Sequence, residues 1–451
     1  MFKIFANAVR VEEIRKKLLF ILLLLLIFRF GSAIPLPGMN LYLLDQARGG
    51  GGFGAGDMVM TVWSMIAGGG IGSVFAMGIA PYITASIIMQ LLTYAIPKLS
   101  EMKKEGEDGQ KKIQQITRYL AVGLAALQSA ATVFSYTRYT TGGGFGVNLF
   151  RPEHQNIFVY ITATIAMMAG TIFIMWLAEL ITEKGIGQGA SFLIFANILA
   201  AMPAGAVSIW MLITGDDNTL RYIGLVALLV VVFILIIAFV VMVHEGERRI
   251  PVQYAKRAGG TGRGSNMHGN HNSFIPIKVN LAGVLSIIFA MSLLQFPQQI
   301  AQFFPSGYPL TADSPNTMER VAQFLSWDTW TGAIIYVILI FMFTHFYTSF
   351  AVNPREMAEN MKKNGGFIPG IRQGAPTSEF IQTTVNRLSW IGACFYAVIA
   401  ITPIMLGRVL PPGLMIEFGG TSLLIVTGVA LQFIKQLESQ LLMRHYKGFL
   451  E

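Results

Sequence analysis

Asp57 to Gln90 reads DMVMTVWSMIAGGGIGSVFAMGIAPYITASIIMQ, an apolar run broken by Gly68, Gly69, Gly70 and Gly72. Each glycine inside a helix costs about 1 kcal/mol relative to alanine, so the run divides there. The piece before the break comprises Asp57, Met58, Val59, Met60, Thr61, Val62, Trp63, Ser64, Met65, Ile66 and Ala67. As a helix it would rise only about 16 Å, whereas a bilayer core of about 30 Å needs about 20 residues. Half a helix at a membrane predicts a re-entrant segment over about 57–70. Non-helical backbone at that depth is tolerated only beside protein or a water-filled cavity. From these residues alone, a segment that merely packs and one that moves are equal readings.

Composition fixes the setting. The chain has 451 residues, 53% hydrophobic and 13% charged, with a mean hydropathy of +0.57. That is too apolar for a soluble protein and long enough for many spans, which predicts an all-α polytopic membrane protein. Apolar runs fall near 18–34, 73–95, 117–136, 156–180, 189–213, 220–243, 279–300, 331–351, 383–406 and 418–436. The first run has a charged flank but continues into Arg29 and PLPG without a small-residue cleavage site, so it is read as a retained span. With both termini cytoplasmic, about 26 of the 33 Lys and Arg lie on the cytoplasmic side, as the positive-inside rule requires.

Absences narrow the function. No Asp or Glu sits near the middle of a predicted span; Glu179, Glu183 and Glu417 lie near ends. Ion-coupled transporters bury carboxylates at the midplane, so a secondary transporter for a small apolar or amphipathic solute is the weaker reading. His345 reads as a packed or end-facing residue rather than a relay, and Cys394 as a packing residue. A single cysteine excludes an intrachain disulfide framework. No nucleotide, zinc-protease or serine-hydrolase motif occurs. His268 and His271 lack a second ligand pair, so neither a metal nor any other cofactor is expected.

Hydrophilic sequence concentrates in two cytoplasmic loops, 244–280 and 353–380. In the first, RIPVQYA alternates as a short strand, and the glycine-rich middle suits a hairpin turn. In the second, a short polar helix leads into GGFIPGIRQG. Two basic protrusions on one face read as a docking surface for an acidic or RNA-rich partner, ahead of topology signals or contacts to anionic membrane lipids.

Five stretches resemble the SecY family of protein-translocon channel subunits: SVFAMGIAPYITASIIMQLL (Ser73–Leu92), WLAELITEKGIGQGASFLI (Trp176–Ile194), RRIPVQYAKR (Arg248–Arg257), GGFIPGIR (Gly365–Arg372) and GGTSLLIV (Gly419–Val426). The resemblance covers essentially the whole chain, in order. It implies a protein-conducting channel rather than an enzyme, in a bacterial plasma membrane, moving unfolded secretory polypeptides. It also implies ten spans in two inverted halves of five, 1–215 and 216–437, followed by a cytoplasmic tail, 438–451. Phe75-Ala76-Met77 and Phe289-Ala290-Met291 are a faint internal echo of that repeat.

By the same resemblance, Asp57–Ala67 is a plug, with Gly68, Gly69, Gly70 and Gly72 as its hinge. A constriction ring falls on Ile79, Ile83, Ala190, Ile194, Ile288 and Ile425; Ala190 is smaller than the usual residue there. The second and seventh spans form a lateral gate for signal sequences and nascent transmembrane segments, with Thr84, Gln128 and Ser292 at gate positions. Arg248, Arg249, Lys256, Arg257 and Arg372 are implied to dock a SecA motor ATPase and the ribosome. SecE-type and SecG-type subunits are the implied membrane partners. Gln188 stands where the family commonly has asparagine and Gln373 where it has proline, differences expected to alter loop stiffness more than chemistry.

Overall fold

The computed structural model describes residues 10–40, 42–43, 70, 72–137, 139–140, 146–215, 219–254, 273–279, 281, 283–301, 320–321, 324–325, 329–409 and 420–447. Among them ten helices of 16 residues or more fall on the ten apolar runs. They are α1 (Glu12–Ala33), α2 (Ala80–Ala95), α4 (Glu107–Tyr136), α5 (Ile157–Lys184), α6 (Gly189–Gly215), α7 (Thr219–Glu245), α8 (Leu285–Ala301), α9 (Trp330–Ala351), α11 (Ala375–Val409) and α12 (Gly420–Lys447). Two short helices, α3 (Pro97–Lys104) and α10 (Pro354–Lys363), complete the described set. By length and composition, five helices suffice to cross a membrane, or six if the bent pair α2 and α3 counts as one.

The apolar residues point both ways, as lipid requires. On α1, Ile14, Ile21, Leu24 and Phe28 are buried while Leu19, Leu22, Leu26 and Phe30 are exposed. α7 exposes Leu228, Val231, Ile234 and Leu235 in the same manner. Such faces would aggregate in water and are ordinary in hydrocarbon.

The second apolar run is only partly helical. Ser73 to Ile79 forms a chain of tight turns, with Ala76 N–H donating to Ser73 O at 3.1 Å and Gly78 N–H to Phe75 O at 2.8 Å. Gly78 has φ +52°, and Pro81, preset for a helix start, lies in the first turn of α2. The echo triplets therefore sit differently, Phe75-Ala76-Met77 in the turns and Phe289-Ala290-Met291 inside α8, although all six residues are buried. At the far end of α2 the chain bends by 99° into α3. Pro97 forces Ile96 out of the helical region, to φ −104° and ψ 115°, and this makes the corner.

Helix packing repeats itself. In the first five long helices the contacts are α1 with α5 and α6, α2 with α4, α4 with α5, and α5 with α6. In the last five they are α7 with α11 and α12, α8 with α9, α9 with α11, and α11 with α12, the same pattern in the same order. The two sets meet along two seams. In one, α6 lies against α7 and α12; in the other, α8 lies against α2 and α4.

Outside the bundle, β3 (Glu247–Tyr254) pairs antiparallel with β4 (Ser273–Lys278), Arg248 opposite Ile277 and Ile250 opposite Ile275. β5 (Gly366–Phe367) joins the other edge of β3, opposite Tyr254 and Gln253. The first loop thus has the expected strands, and the second contributes a strand to the same sheet. Ile250, Val252, Ile277, Met361, Ile368 and Ile381 close a separate small core beneath it. Two further strands, β1 (Tyr139–Thr140) and β2 (Gly146–Val147), form a hairpin elsewhere.

Candidate functional site

The six ring residues come from four helices and belong to one apolar cluster. Ile79, Ile194, Ile288 and Ile425 are buried in it, and Ile83 and Ala190 are half-buried against it. Ile79 precedes the first turn of α2, Ile83 lies one turn in, Ala190 and Ile194 open α6, and Ile288 and Ile425 begin α8 and α12. All six lie at or near helix beginnings, and their aliphatic side chains carry no hydrogen-bonding group.

The hinge region is held firmly on the α2 side. Gly72 has φ +70°, and its N–H donates to the buried Tyr136 hydroxyl at 3.2 Å. Leu36 N–H donates to Gly72 O at 2.9 Å, and Val74 N–H to Ile34 O at 3.0 Å, tying the glycines to the chain leaving α1. Phe75 is stacked between Phe28, at 6.1 Å, and Phe173, at 5.9 Å. Gly31 and Gly170 are required here, because a Cβ on either would collide with Phe75 or the Val74 carbonyl. Asp57–Ala67, Gly68 and Gly69 lie outside the described residues, as do His268 and His271.

The residues at the implied gate positions, Thr84, Gln128 and Ser292, are all buried. Thr84 donates to Ala80 O of its own helix at 3.1 Å. Gln128 Oε1 and Ser129 Oγ on α4, and Gln295 Oε1 on α8, are buried without a hydrogen-bond partner among the described residues. Gln295 is 3% exposed and lies on the same helical face as Ser292 and Ile288. Sequence reasoning missed Gln295. Its signal is an amide inside SLLQFP, whereas the search was for charged groups at the midplane.

At the sheet end, Arg249 is committed to Glu247 at 2.7 Å and lies 4.8 Å over the Phe274 ring. Arg248 and Arg372 are exposed; Lys256 and Arg257 lie outside the described residues. Gln373 does more than alter stiffness, since its Nε2 donates to Gly366 O at 3.1 Å and ties its loop to β5. Gln188 accepts from Ser191 Oγ at 3.3 Å near the start of α6. Cys394 is exposed with Trp390, Ile391 and Val398 on the outer face of α11, which corrects its reading as a packed thiol. Those neighbours are each one turn away, and Cys394 shares their exposed apolar face. His345 Nδ1 is 3.3 Å from Ser389 Oγ, a local contact between α9 and α11.

A helical membrane protein whose two similarly packed sets of helices share one large apolar cluster is the class this fold defines. Among the described residues no group of three or more His, Cys, Asp and Glu could hold a metal. The family model SecY matches residues 73–434, and the chain belongs to the SecY family. It is 41% identical over 459 residues to the "Protein translocase subunit SecY" of Halalkalibacterium halodurans, covering 100% of both chains. The subunit of that name from Streptomyces coelicolor is 42% identical over 467 residues, again covering 100% of both. The one from Staphylococcus aureus is 38% identical over 454 residues, covering 100% of this chain and 99% of that one. Among solved structures, "The structure of a protein conducting channel" matches with a TM-score of 0.60 at 18% identity, over 93% of this chain and 90% of that one. "Sec61 in the Canine ribosome-channel complex from the endoplasmic reticulum" matches with a TM-score of 0.58 at 17% identity, over 93% and 90%. These two comparisons concern the fold.

Proposed function

We propose that the chain is the channel subunit of a protein translocase. It would conduct unfolded secretory polypeptides across a bacterial plasma membrane and release transmembrane segments sideways between α2 and α8. The observation that carries this reading is that Ile79, Ile83, Ala190, Ile194, Ile288 and Ile425, from both halves of the bundle, belong to one apolar cluster at or near helix beginnings. A narrow aliphatic neck disfavours water and ions while placing no sequence requirement on a moving chain. Ten spans in two inverted halves, 1–215 and 216–437, with both termini cytoplasmic, fit the repeated packing pattern and the distribution of Lys and Arg.

In this reading Asp57–Ala67 plugs the neck, hinged at Gly68–Gly72 on the anchor that Tyr136 and Phe75 provide. Thr84, Gln128, Ser292 and Gln295 line the gate. Arg248, Arg249, Lys256, Arg257 and Arg372 face a SecA-type motor or the ribosome, and SecE-type and SecG-type subunits complete the assembly. The relatives' name as a translocase subunit supports an assembly of several chains, and the ribosome-bound neighbour supports the ribosome as a partner. Energy comes from the partner, and the channel itself performs no chemistry.

The test is reconstitution of the protein with a clamp subunit in vesicles, with motor, ATP and a precursor carrying a signal sequence. The precursor becomes protease-protected, and the same precursor without its signal does not. A stably inserted complex that protects neither, or both equally, overturns the assignment.

A further inference from the structure

We propose that Gly428 is a positioning residue for the neck: it forms a notch in α12 that seats Val284 and so sets how closely Ile288 and Ile425 approach each other. That these two isoleucines border a conducting path rests on the channel reading; the contact that spaces them does not. Gly428 is buried, and a Cβ placed on it would lie 2.7 Å from Val284 Cγ2 and 3.9 Å from His244 Cε1. Carbon atoms in good contact stand about 3.5–4.0 Å apart, so a methyl group enters only if Val284 retreats by about 1 Å. Valine gives way poorly, since its branched Cβ restricts χ1. Its backbone is held as well. Val284 O accepts from the N–H groups of Ile287 and Ile288, both at 3.2 Å, which makes Val284 part of the first turn of α8. Five residues earlier, Val279 N–H donates to Gly246 O at 2.9 Å and ties the incoming chain to the end of α7.

The contact lies one turn from the ring. Val284 is four residues before Ile288, and Gly428 three residues after Ile425, so each shares a helix face with its isoleucine. With the seventh and tenth spans running oppositely, the offsets of about 6 Å back along α8 and about 4.5 Å forward along α12 fall on the same side of the pair. A wedge at that level pries Ile288 from Ile425, both of which are buried. α8 packs on α2, α4 and α9, whereas α12 packs on α6, α7 and α11. Because different helices hold each of them, the seat of Val284 on Gly428 gauges the distance between the two. Small residues let helices in a membrane approach closely, and a well-packed core answers an added methyl by shifting. A glycine inside a helix is unfavourable relative to alanine, so a position that merely tolerated it would gain from the exchange.

The full-length protein, reconstituted with its membrane subunits in a Cys394→Ala background, is given Ile288→Cys and Ile425→Cys. The rate of bridging by the shortest thiol cross-linker that joins them is then measured. Gly428→Ala is expected to slow bridging roughly fivefold, and Gly428→Leu to slow it further. Val284→Ala added to Gly428→Ala removes the colliding methyl and restores the rate. Gly224→Ala on α7, where a Cβ meets open space, leaves the rate unchanged. If Gly428→Leu fails to fold, the alanine pair still decides, since both of its changes are small. In a second arm the ring keeps its isoleucines, and resting ion conductance is read in planar bilayers. Gly428→Ala should raise it severalfold and Val284→Ala should bring it back, a reversal that a loss of stability alone would not produce. Unchanged bridging in the Gly428 variants means that Val284 swings aside, and it overturns the proposal, as does a change that Val284→Ala fails to reverse. Slowed and rescued bridging with unchanged conductance leaves the notch standing and overturns the neck as the seal.

Discussion

The two seams between the first and last five long helices are built differently. Where α6 meets α12, Phe192 and Phe433 pack edge to face at 5.0 Å, and Phe195 lies against Phe192 at 6.5 Å. On α4 and α8, two of the helices of the other seam, Gln128 Oε1, Ser129 Oγ and Gln295 Oε1 are buried, none of them paired among the described residues. An interlocked aromatic contact loses energy as soon as it separates. A buried polar atom without a partner costs about 1–3 kcal/mol, and the cost is recovered once water or a client's polar group reaches it. In the channel proposed above, the aromatic seam would then serve as the hinge and the amide seam as the one that parts.

The largest effect should come from locking the seams in turn, in a Cys394→Ala background. Thr84→Cys with Ser292→Cys, bridged by thiol cross-linkers of graded length, should abolish lateral release at short lengths and restore it at long ones. Phe192→Cys with Phe433→Cys, bridged in the same way, should leave release close to the unbridged level. If the second lock blocks release as fully as the first, the assignment of hinge and gate is reversed.

Removing the hinge contact comes next. Phe192→Ala should destabilise the folded protein by about 3–5 kcal/mol, read as a lower thermal unfolding midpoint, with signal-sequence stringency unchanged. An intermediate effect of opposite sign is expected at the gate. Gln295→Leu should stabilise the closed protein by about 1–3 kcal/mol and lower export of precursors with weakened signal sequences severalfold. A destabilised Gln295→Leu protein would mean that the amide has a partner. The smallest effect belongs to Thr84. Its hydroxyl bonds to its own helix, so Thr84→Val should change both stability and stringency by no more than about 0.5 kcal/mol.

Much of this arrangement was legible in the residues. Runs of apolar sequence located the ten long helices, since length and hydropathy are what a bilayer selects. The alternation in RIPVQYA gave β3, and the five motifs, in order along the chain, gave the family. Ser73–Ile79 misled, because buried turns are as apolar as a buried helix and only Gly78 and Pro81 mark the boundary. β5 was invisible, since two residues carry no periodicity and their partner lies more than a hundred positions away. Gln295 escaped because a neutral amide is not among the charged groups that mark a midplane site, although burial makes it costly. Cys394 was misread because lipid-facing and core-facing positions have the same composition in a membrane helix.

α11 belongs to two cores at once. Ile381, Val385 and Leu388 seal the underside of the sheet, and further along the same helix Phe395, Tyr396, Ile399 and Ala400 are part of the large cluster of the bundle. Ile381 and Ile399 are 18 residues apart, about 27 Å on one uninterrupted helix. Such a helix behaves as a see-saw. A load that tips its upper end against the sheet must swing its lower end the other way, without a joint in between to absorb the motion. Pushing at the rim and loosening at the centre are then a single mechanical act.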